Sequence, residues 1–143
     1  MNVATLIESR ASSDIISITV DHKVRDAVRL LAEKRIGAVP VMSEGNVAGI
    51  FSERDVIYRL AEEGDACLDQ QVGMVMTSPA ITIDVQTPIL KALSLMTKRR
   101  IRHLPVMDSS TMCGFISIGD LVKARLDEIE HEAEAMREYI QTA

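Results

Sequence analysis

The order of apolar and polar positions repeats itself along the chain. A β-branched run, at Ile15–Val20 and again at Ile81–Val85, precedes a segment with apolar residues at helical spacing. Two more apolar runs follow, separated by polar residues, and a second helical segment begins near Glu53 in one half and near Ile118 in the other. The pattern therefore predicts two β-α-β-β-α units in tandem.

Turn and cap residues set the expected boundaries of these elements. Asp21 is expected to cap the first helix, and Thr87 the corresponding helix of the second half, with Pro88 in its first turn. Because Pro40 and Pro105 lack an N–H group, their strands are expected at a sheet edge or with an irregular start. The paired strands are predicted at Ala38–Met42 and Val47–Phe51, joined by a hairpin turn at 43–46, and at His103–Met107 and Met112–Ser117.

The two halves align without a gap when the chain is shifted by 65 residues. Most identical positions are apolar or turn residues, as expected when a repeat preserves a fold. Two of them are polar, because Ser52 and Asp55 return as Ser117 and Asp120 at the same interval. Duplicated polar groups in a tandem repeat suggest paired ligand sites.

Composition and charge narrow the classes of function. The 143 residues suit one compact domain, and 47% of them are apolar. Aromatic residues make up only 3%, which argues against an aromatic platform for nucleic-acid bases. The net charge of −5 is carried by residues 127–143, so binding to duplex DNA is not expected. No apolar run is long enough for a signal peptide or a membrane span, so we expect no membrane partner.

The sequence offers no metal site and no catalytic motif. Cys67 and Cys113 do not occupy matching repeat positions and are interpreted as free thiols, which favours a reducing, cytoplasmic setting. The histidines are scattered and lack ligand spacing with either cysteine. Neither a phosphate-binding loop nor a nucleophile elbow is present, so an enzyme is not expected.

The C-terminal segment continues beyond the repeat with a pattern of its own. Its apolar residues are spaced 4-3-4-3-4, as in an a/d heptad stripe. A helix folded back on its own domain and a helix–helix contact between subunits both fit. We expect a homodimer to which this helix contributes, by an antiparallel or domain-crossing contact, since Glu128, Glu132 and Glu138 would repel a parallel copy unless basic residues lie opposite. The stripe comprises Val122, Leu126, Ile129, Ala133, Met136 and Ile140.

Both halves resemble CBS (cystathionine-β-synthase) domains, and together they are similar to a CBS pair, or Bateman module. The resemblance rests on Lys34–Met42 with Gly49–Val56, and on Arg99–Met107 with Gly114–Leu121. It implies a mixed α/β (α+β) fold in which two pseudo-twofold related repeats pack through their sheets, with two clefts between them. The expected organisation is a helical lead at 1–10, repeat 1 at 11–63, a linker at 64–75, repeat 2 at 76–126 and an acidic, heptad-patterned helix at 127–143.

The resemblance also implies an adenine nucleotide as ligand: AMP first, with ATP, ADP or NAD(H) as alternatives. Position by position, the family pattern assigns ribose binding to Asp55, Asp120, Ser52 and Ser117. It assigns adenine binding to Ile16, Ile36, Gly37 and Ala38 in one cleft and to Ile81 and Ile101 in the other. Phosphate binding falls to Arg102 and His103, with Arg54 as a weaker candidate.

Each of these polar groups has a structural alternative. Ser and Asp are favoured helix caps, so Ser52 and Asp55 also fit a capping role, although their repetition favours a ligand. His103 also fits a neutral histidine within a strand, and the adjoining Arg102 favours phosphate. Because Gly37 and Ala38 stand at the corresponding positions of the first half, the two clefts are expected to differ in charge.

We therefore expect a non-enzymatic regulatory module that senses nucleotides and signals through a change of conformation or assembly. Its regulated protein partner is not identified by the sequence. One alternative is a structural or scaffold dimerisation protein with vestigial clefts, and another is a sensor of S-adenosylmethionine.

Overall fold

The computed structural model describes residues 1–8 and 15–142. They form a mixed α+β fold with two three-stranded sheets and a long C-terminal helix, as expected. The predicted start of the first repeat at residue 11, and the last two residues of the predicted helical lead, lie outside the described residues. Of that lead, Val3–Ile7 forms helix α1.

The elements follow the predicted order in both halves. The first half contains β1 (Ile18–Thr19), α2 (Val24–Lys34), β2 (Ala38–Ser43), β3 (Asn46–Ser52) and α3 (Glu53–Glu63). A 3₁₀ helix (Gly64–Asp69) and α4 (Val72–Val75) come next. The second half contains β4 (Ile83–Asp84), α5 (Ile89–Arg99), β5 (His103–Asp108), β6 (Thr111–Ser117) and α6 (Ile118–Thr142).

The described residues divide into two compact units. The first-repeat unit comprises residues 15–81 and 110–112, and the second-repeat unit comprises residues 1–8, 82–109 and 113–142. Each unit holds one sheet, with strand order β1-β2-β3 or β4-β5-β6. The first strand of each sheet pairs in parallel with the central one.

The helix between the first two strands packs through the apolar face that its spacing predicts. In α2 the side chains of Val24, Ala27 and Leu31 are buried. The helix ends at Arg35, whose φ of 53° is left-handed. Arg100 ends α5 in the same way, with φ 54°. The identical arginines of the repeat therefore occupy the same C-terminal cap conformation.

The predicted caps of α2 and α5 were wrong. Lys23 and Pro88 occupy the N-cap positions, and neither makes a side-chain capping bond. The Asp21 carboxylate instead accepts a hydrogen bond from Thr19 Oγ1 at 2.5 Å. Thr87 Oγ1 accepts from the amide of Asp84 at 3.3 Å. Both predicted caps are thus used inside the turn that precedes the helix.

The edge position predicted for the proline strands was also wrong, because β2 and β5 are the central strands. Pro40 lies opposite Ile50 of β3. The amide and the carbonyl of Ile50 both bond to Thr77, and therefore point away from β2. In an antiparallel pair this is the position where neither residue bonds to the other, so β3 requires no donor from Pro40.

The segment predicted as a linker, residues 64–75, is folded into the first-repeat unit. It forms the 3₁₀ helix and α4, and the side chains of Cys67 and Val72 are fully buried. The amide of Val72 donates to the carbonyl of His22 at 2.7 Å. The polar composition of the segment concealed these few buried residues.

Helix α6 runs without interruption for 25 residues. Leu121 and Ala124 near its start are buried, whereas every described residue from Ile129 onward is exposed. The segment is therefore not folded back on its own domain. Among the helices of the described chain, none is both long and apolar enough to cross a membrane.

Candidate ligand site

Ser52 and Asp55 form a reciprocal cap at the start of α3. The backbone amide of Ser52 donates to Asp55 Oδ2 at 2.9 Å, and the amide of Asp55 donates to Ser52 Oγ at 3.4 Å. Ser52 Oγ also donates to Asp55 Oδ2 at 3.1 Å. This arrangement satisfies two amides at the N-terminus of the helix and fixes the position of the carboxylate. The capping role considered from the sequence is therefore present.

Thr77 holds the second oxygen of the same carboxylate. Its Oγ1 donates to Asp55 Oδ1 at 2.9 Å, and its backbone makes two hydrogen bonds of 2.9 Å with Ile50 at the edge of β3. A carboxylate offers about four lone-pair positions, and these side-chain and amide bonds use three of them. Asp55 Oδ1 therefore keeps the capacity to accept one further hydroxyl. Sequence reasoning missed Thr77, since no pattern links it to residues more than twenty positions earlier.

The second repeat has the same arrangement at the start of α6. The amide of Ser117 donates to Asp120 Oδ2 at 2.9 Å, and the amide of Asp120 donates to Ser117 Oγ at 3.2 Å. Both residues are half-buried, like Ser52 and Asp55. The duplicated sequence pair thus corresponds to a duplicated geometry.

The fold brings Gly37 and Ala38 next to the Ser52–Asp55 pair. The amide of Glu53 donates to the carbonyl of Gly37 at 3.0 Å, and Ala38 pairs with Ser52 across the sheet. The remaining two predicted adenine residues of this repeat, Ile16 and Ile36, are partly buried against the core of the same unit.

In the second-repeat unit, Arg102 occupies the place of Gly37. The carbonyl of Arg102 accepts a hydrogen bond of 2.8 Å from the amide of Ile118 at the start of α6. The side chain of Arg102 is exposed. Of the other predicted adenine residues, Ile101 lies in this unit and Ile81 in the first-repeat unit, and both are half-buried.

The two other predicted phosphate residues differ in environment. His103 begins β5, and its ring stacks on Phe115, with centroids 5.6 Å apart and planes 13° apart. This contact fits the strand role that was the alternative for His103, and the phosphate role stays a prediction. Phe115 was missed because the sequence does not show which strand residues face each other. Arg54 lies in the first turn of α3 with an exposed side chain.

A family model for the CBS domain matches residues 7–62 and 72–127. The chain belongs to the CBS-domain family. The CBS domain-containing protein CBSX3, mitochondrial, of Arabidopsis thaliana is 38% identical over 128 residues, which cover 86% of this chain and 62% of that relative. The crystal structure of the CBS-domain protein ATU1752 from Agrobacterium tumefaciens has 35% identity and a TM-score of 0.82, covering 87% of this chain and 99% of that one.

Two more distant CBS structures share the fold and are complexes with small-molecule ligands. CBSX2 in complex with AMP has a TM-score of 0.74 and 23% identity, covering 88% of this chain and 96% of that one. The CBS pair of MJ0100, in complex with 5′-methylthioadenosine and S-adenosyl-L-methionine, has a TM-score of 0.76 and 21% identity, covering 90% and 98%. At these identities the likeness establishes the fold only.

A cleft of about 540 Å³ opens between α2 and α3 of the first CBS repeat. Its lining includes Ile36, Gly37 and Glu53, but neither Ser52 nor Asp55. This cleft by itself therefore does not combine the predicted adenine and ribose contacts.

Both cysteines of the CBS pair are free thiols, as the sequence suggested. Cys67 is fully buried. Burial raises the pKa of the Cys113 thiol, and the nearby Asp108 carboxylate raises it further. Within the described part of the chain, no three His, Cys, Asp or Glu residues are grouped so as to hold a metal ion.

Proposed function

We propose that this CBS pair is a non-enzymatic regulatory module whose ligand is an adenine nucleotide. The observation that carries the proposal is the Ser–Asp pair, which has the same geometry at the start of a helix in both repeats. The complexes of CBSX2 with AMP and of MJ0100 with 5′-methylthioadenosine and S-adenosyl-L-methionine support the choice of an adenosine-containing ligand. The free thiols agree with the cytoplasmic setting that we propose.

The chemistry of the pair suits a ribose. The Asp55 carboxylate keeps one acceptor position, which can take a hydrogen bond from one hydroxyl of a ribose diol, whereas the base and phosphates need other partners. The capping bonds hold the Asp55 side chain in one position before a ligand arrives. A ligand hydroxyl therefore meets an acceptor that is already ordered, which lowers the entropy cost of binding.

We place AMP first, with ATP, ADP and NAD(H) as alternatives. S-adenosylmethionine is the second candidate ligand, because the CBS pair of MJ0100 forms a complex with it. Isothermal titration with AMP, ADP, ATP, NADH, adenosine and S-adenosylmethionine tests the proposal and gives the stoichiometry for each. Saturable heat with at least one of these compounds is the expected result. The absence of binding heat with all of these compounds would favour the alternative of a scaffold with vestigial sites.

Reversing the charge of Arg102 should weaken phosphate-bearing ligands selectively. In Arg102→Glu we expect ATP affinity to fall by about tenfold while adenosine affinity stays nearly constant, since adenosine carries no phosphate for the residue at position 102 to attract or repel. The backbone bond from Ile118 to Arg102 does not depend on the side chain, so the fold should survive. Titration of the variant with both ligands measures the difference.

Arg99→Glu is the matched control, because Arg99 lies at the end of α5 with an exposed side chain in the same basic segment. It should leave the ratio of ATP to adenosine affinity unchanged. Equal losses of ATP and adenosine binding in Arg102→Glu would show that Arg102 does not contact phosphate.

The signalling step we propose is differential binding. A nucleotide that binds one conformation of the chain more tightly than another shifts the population toward it, by no more than the difference in affinity. A protein partner or the state of assembly would then report that population.

A further inference from the structure

We propose that the α6 helices of two copies of this chain pair in parallel along the exposed face of the helix. We call this face the α6 stripe. It comprises the heptad a positions Leu126, Ala133 and Ile140 and the d positions Val122, Ile129 and Met136. All six are exposed in the single chain, to 57% for Leu126, 60% for Met136 and 67% for Ile140.

The α6 stripe points away from the unit to which the helix belongs. The buried residues near the start of the helix are Leu121, at 0% exposure, and Ala124, at 6%, and Ala124 lies on the side opposite the stripe. Val122 and Leu126 on either side of it in sequence are exposed to 43% and 57%. A second helix can therefore reach the stripe without displacing the contacts of α6 with its own unit.

The outer half of α6 also lacks intramolecular support. From Ile129 to Thr142 every residue is exposed, so no side chain in this part of the helix is buried. Isolated helices shorter than about 12–15 residues are marginal in water, and most helical stability comes from packing of an apolar face. A partner that covers the stripe supplies that packing.

The charges that flank the stripe identify the partner as a second copy in parallel orientation. In a parallel, in-register pair each g residue lies next to the e residue five positions on in the other helix. Arg125 then faces Glu130 of the second copy, and Glu132 faces Arg137. Both pairs are attractive and occur twice by symmetry.

An antiparallel pair that covers the whole stripe is disfavoured by the same residues. Placing Leu126 opposite Met136 brings Glu130 against Glu130, and Glu132 against Glu132. Like charges in such positions repel. Shifting the helices relieves the repulsion but leaves part of the stripe uncovered. The heptad positions therefore favour the parallel pair over the antiparallel contact that was expected from the acidic residues alone.

Sedimentation velocity on the full chain tests the contact. The wild type should sediment as a dimer, and Ile129→Glu with Met136→Glu should weaken the dimer at least 100-fold and lower the helix content measured by circular dichroism. His131→Glu with Ala135→Glu adds the same side chains on the exposed opposite face and should leave both measurements unchanged. A stripe variant that dimerises as tightly as this control would overturn the proposal.

The orientation is tested by exchanging charges. Glu132→Arg and Arg137→Glu should each weaken the dimer about tenfold, since each replaces two attractive pairs with repulsive ones. The double variant restores both pairs only in the parallel arrangement and should recover wild-type affinity. Arg125 is less suitable for this test because it already forms an ion pair with Glu128 in its own helix.

A double variant no tighter than the singles would show that the helices do not pair in parallel. Glu134→Arg, at an outward b position, is the control for the change in net charge and should have little effect. The stripe variants should still bind nucleotide, since they leave both Ser–Asp pairs intact. Failure of the helix contact is therefore distinguishable from failure of the proposed function.

Discussion

Asp55→Asn should lower the affinity for the adenine ligand by about 10- to 100-fold. Loss of a hydrogen bond to a charged group costs about 1.5–3 kcal/mol, and the amide that replaces the carboxylate offers one acceptor oxygen where two were present. In the folded chain the amide of Ser52 and Thr77 Oγ1 both donate to this side chain, so they compete with the ligand for the one remaining oxygen. Isothermal titration with the ligand that binds the wild type best gives the change.

The controls separate ligand contact from damage to the cap. Thr77→Val removes the hydrogen bond from Thr77 to Asp55 but leaves the carboxylate, so it should lower the melting temperature with little loss of affinity. Asp65→Asn removes an exposed carboxylate of the same unit and should change neither the melting temperature nor the ligand affinity. If Asp55→Asn and Asp120→Asn together leave the affinity unchanged, the Ser–Asp pairs are caps alone.

Gly49→Ala should destabilise the protein by about 3 kcal/mol. A Cβ atom built on Gly49 would lie 2.6 Å from the carbonyl oxygen of Thr77 and 2.8 Å from Met76 Sδ. Overpacking of this kind typically costs about 1–3 kcal/mol, and a backbone atom cannot move aside as a side chain can. Because Thr77 would be displaced, its bond to Asp55 should be lost as well. Urea denaturation measures the free energy of unfolding.

Gly114→Ala is the matched experiment in the second repeat. Its Cβ would lie 2.9 Å from Ile7 Cγ2, which is a side-chain atom of the short helix α1. We expect a cost of about 1 kcal/mol, since the isoleucine can shift. Equal costs at the two glycines would contradict the distinction between a backbone neighbour and a side-chain neighbour.

Local patterns predicted the order of elements well. The hairpin between β2 and β3 turns at Glu44 and Gly45, with φ values of 51° and 81°, where the sequence placed a turn. The starts of α3 and α6 were also predicted correctly. Each of these features depends on residues that are adjacent in the sequence, so a short window contains the information.

The errors arose where a residue's partner is distant or belongs to a competing turn. Asp21 was available as a cap, but Thr19 engages it first. Pro40 fits a central strand because Ile50, opposite it, bonds to Thr77. No local pattern of hydrophobicity or turn residues contains the contact between Ile50 and Thr77.

The candidate site was predicted as residues rather than as an arrangement. Repetition singled out Ser52 and Asp55, yet repetition could not distinguish a cap from a ligand group, and the structure shows that one carboxylate can serve the cap and retain an acceptor. The contact of His103 with Phe115 depends on how β5 and β6 align. Such alignment is fixed by the whole sheet.

Gly49 and Gly114 differ in whether a substitution at a neighbouring residue could make room for a side chain in place of the glycine. The obstacle at Gly49 is a peptide carbonyl, which every amino acid at position 77 would carry, so no substitution there can make room. The obstacle at Gly114 is a methyl group of Ile7, and a residue without a branched Cβ at position 7 removes it. Among descendants of this chain, we therefore expect substitutions of residue 114 to occur together with substitutions of residue 7, whereas residue 49 should remain glycine.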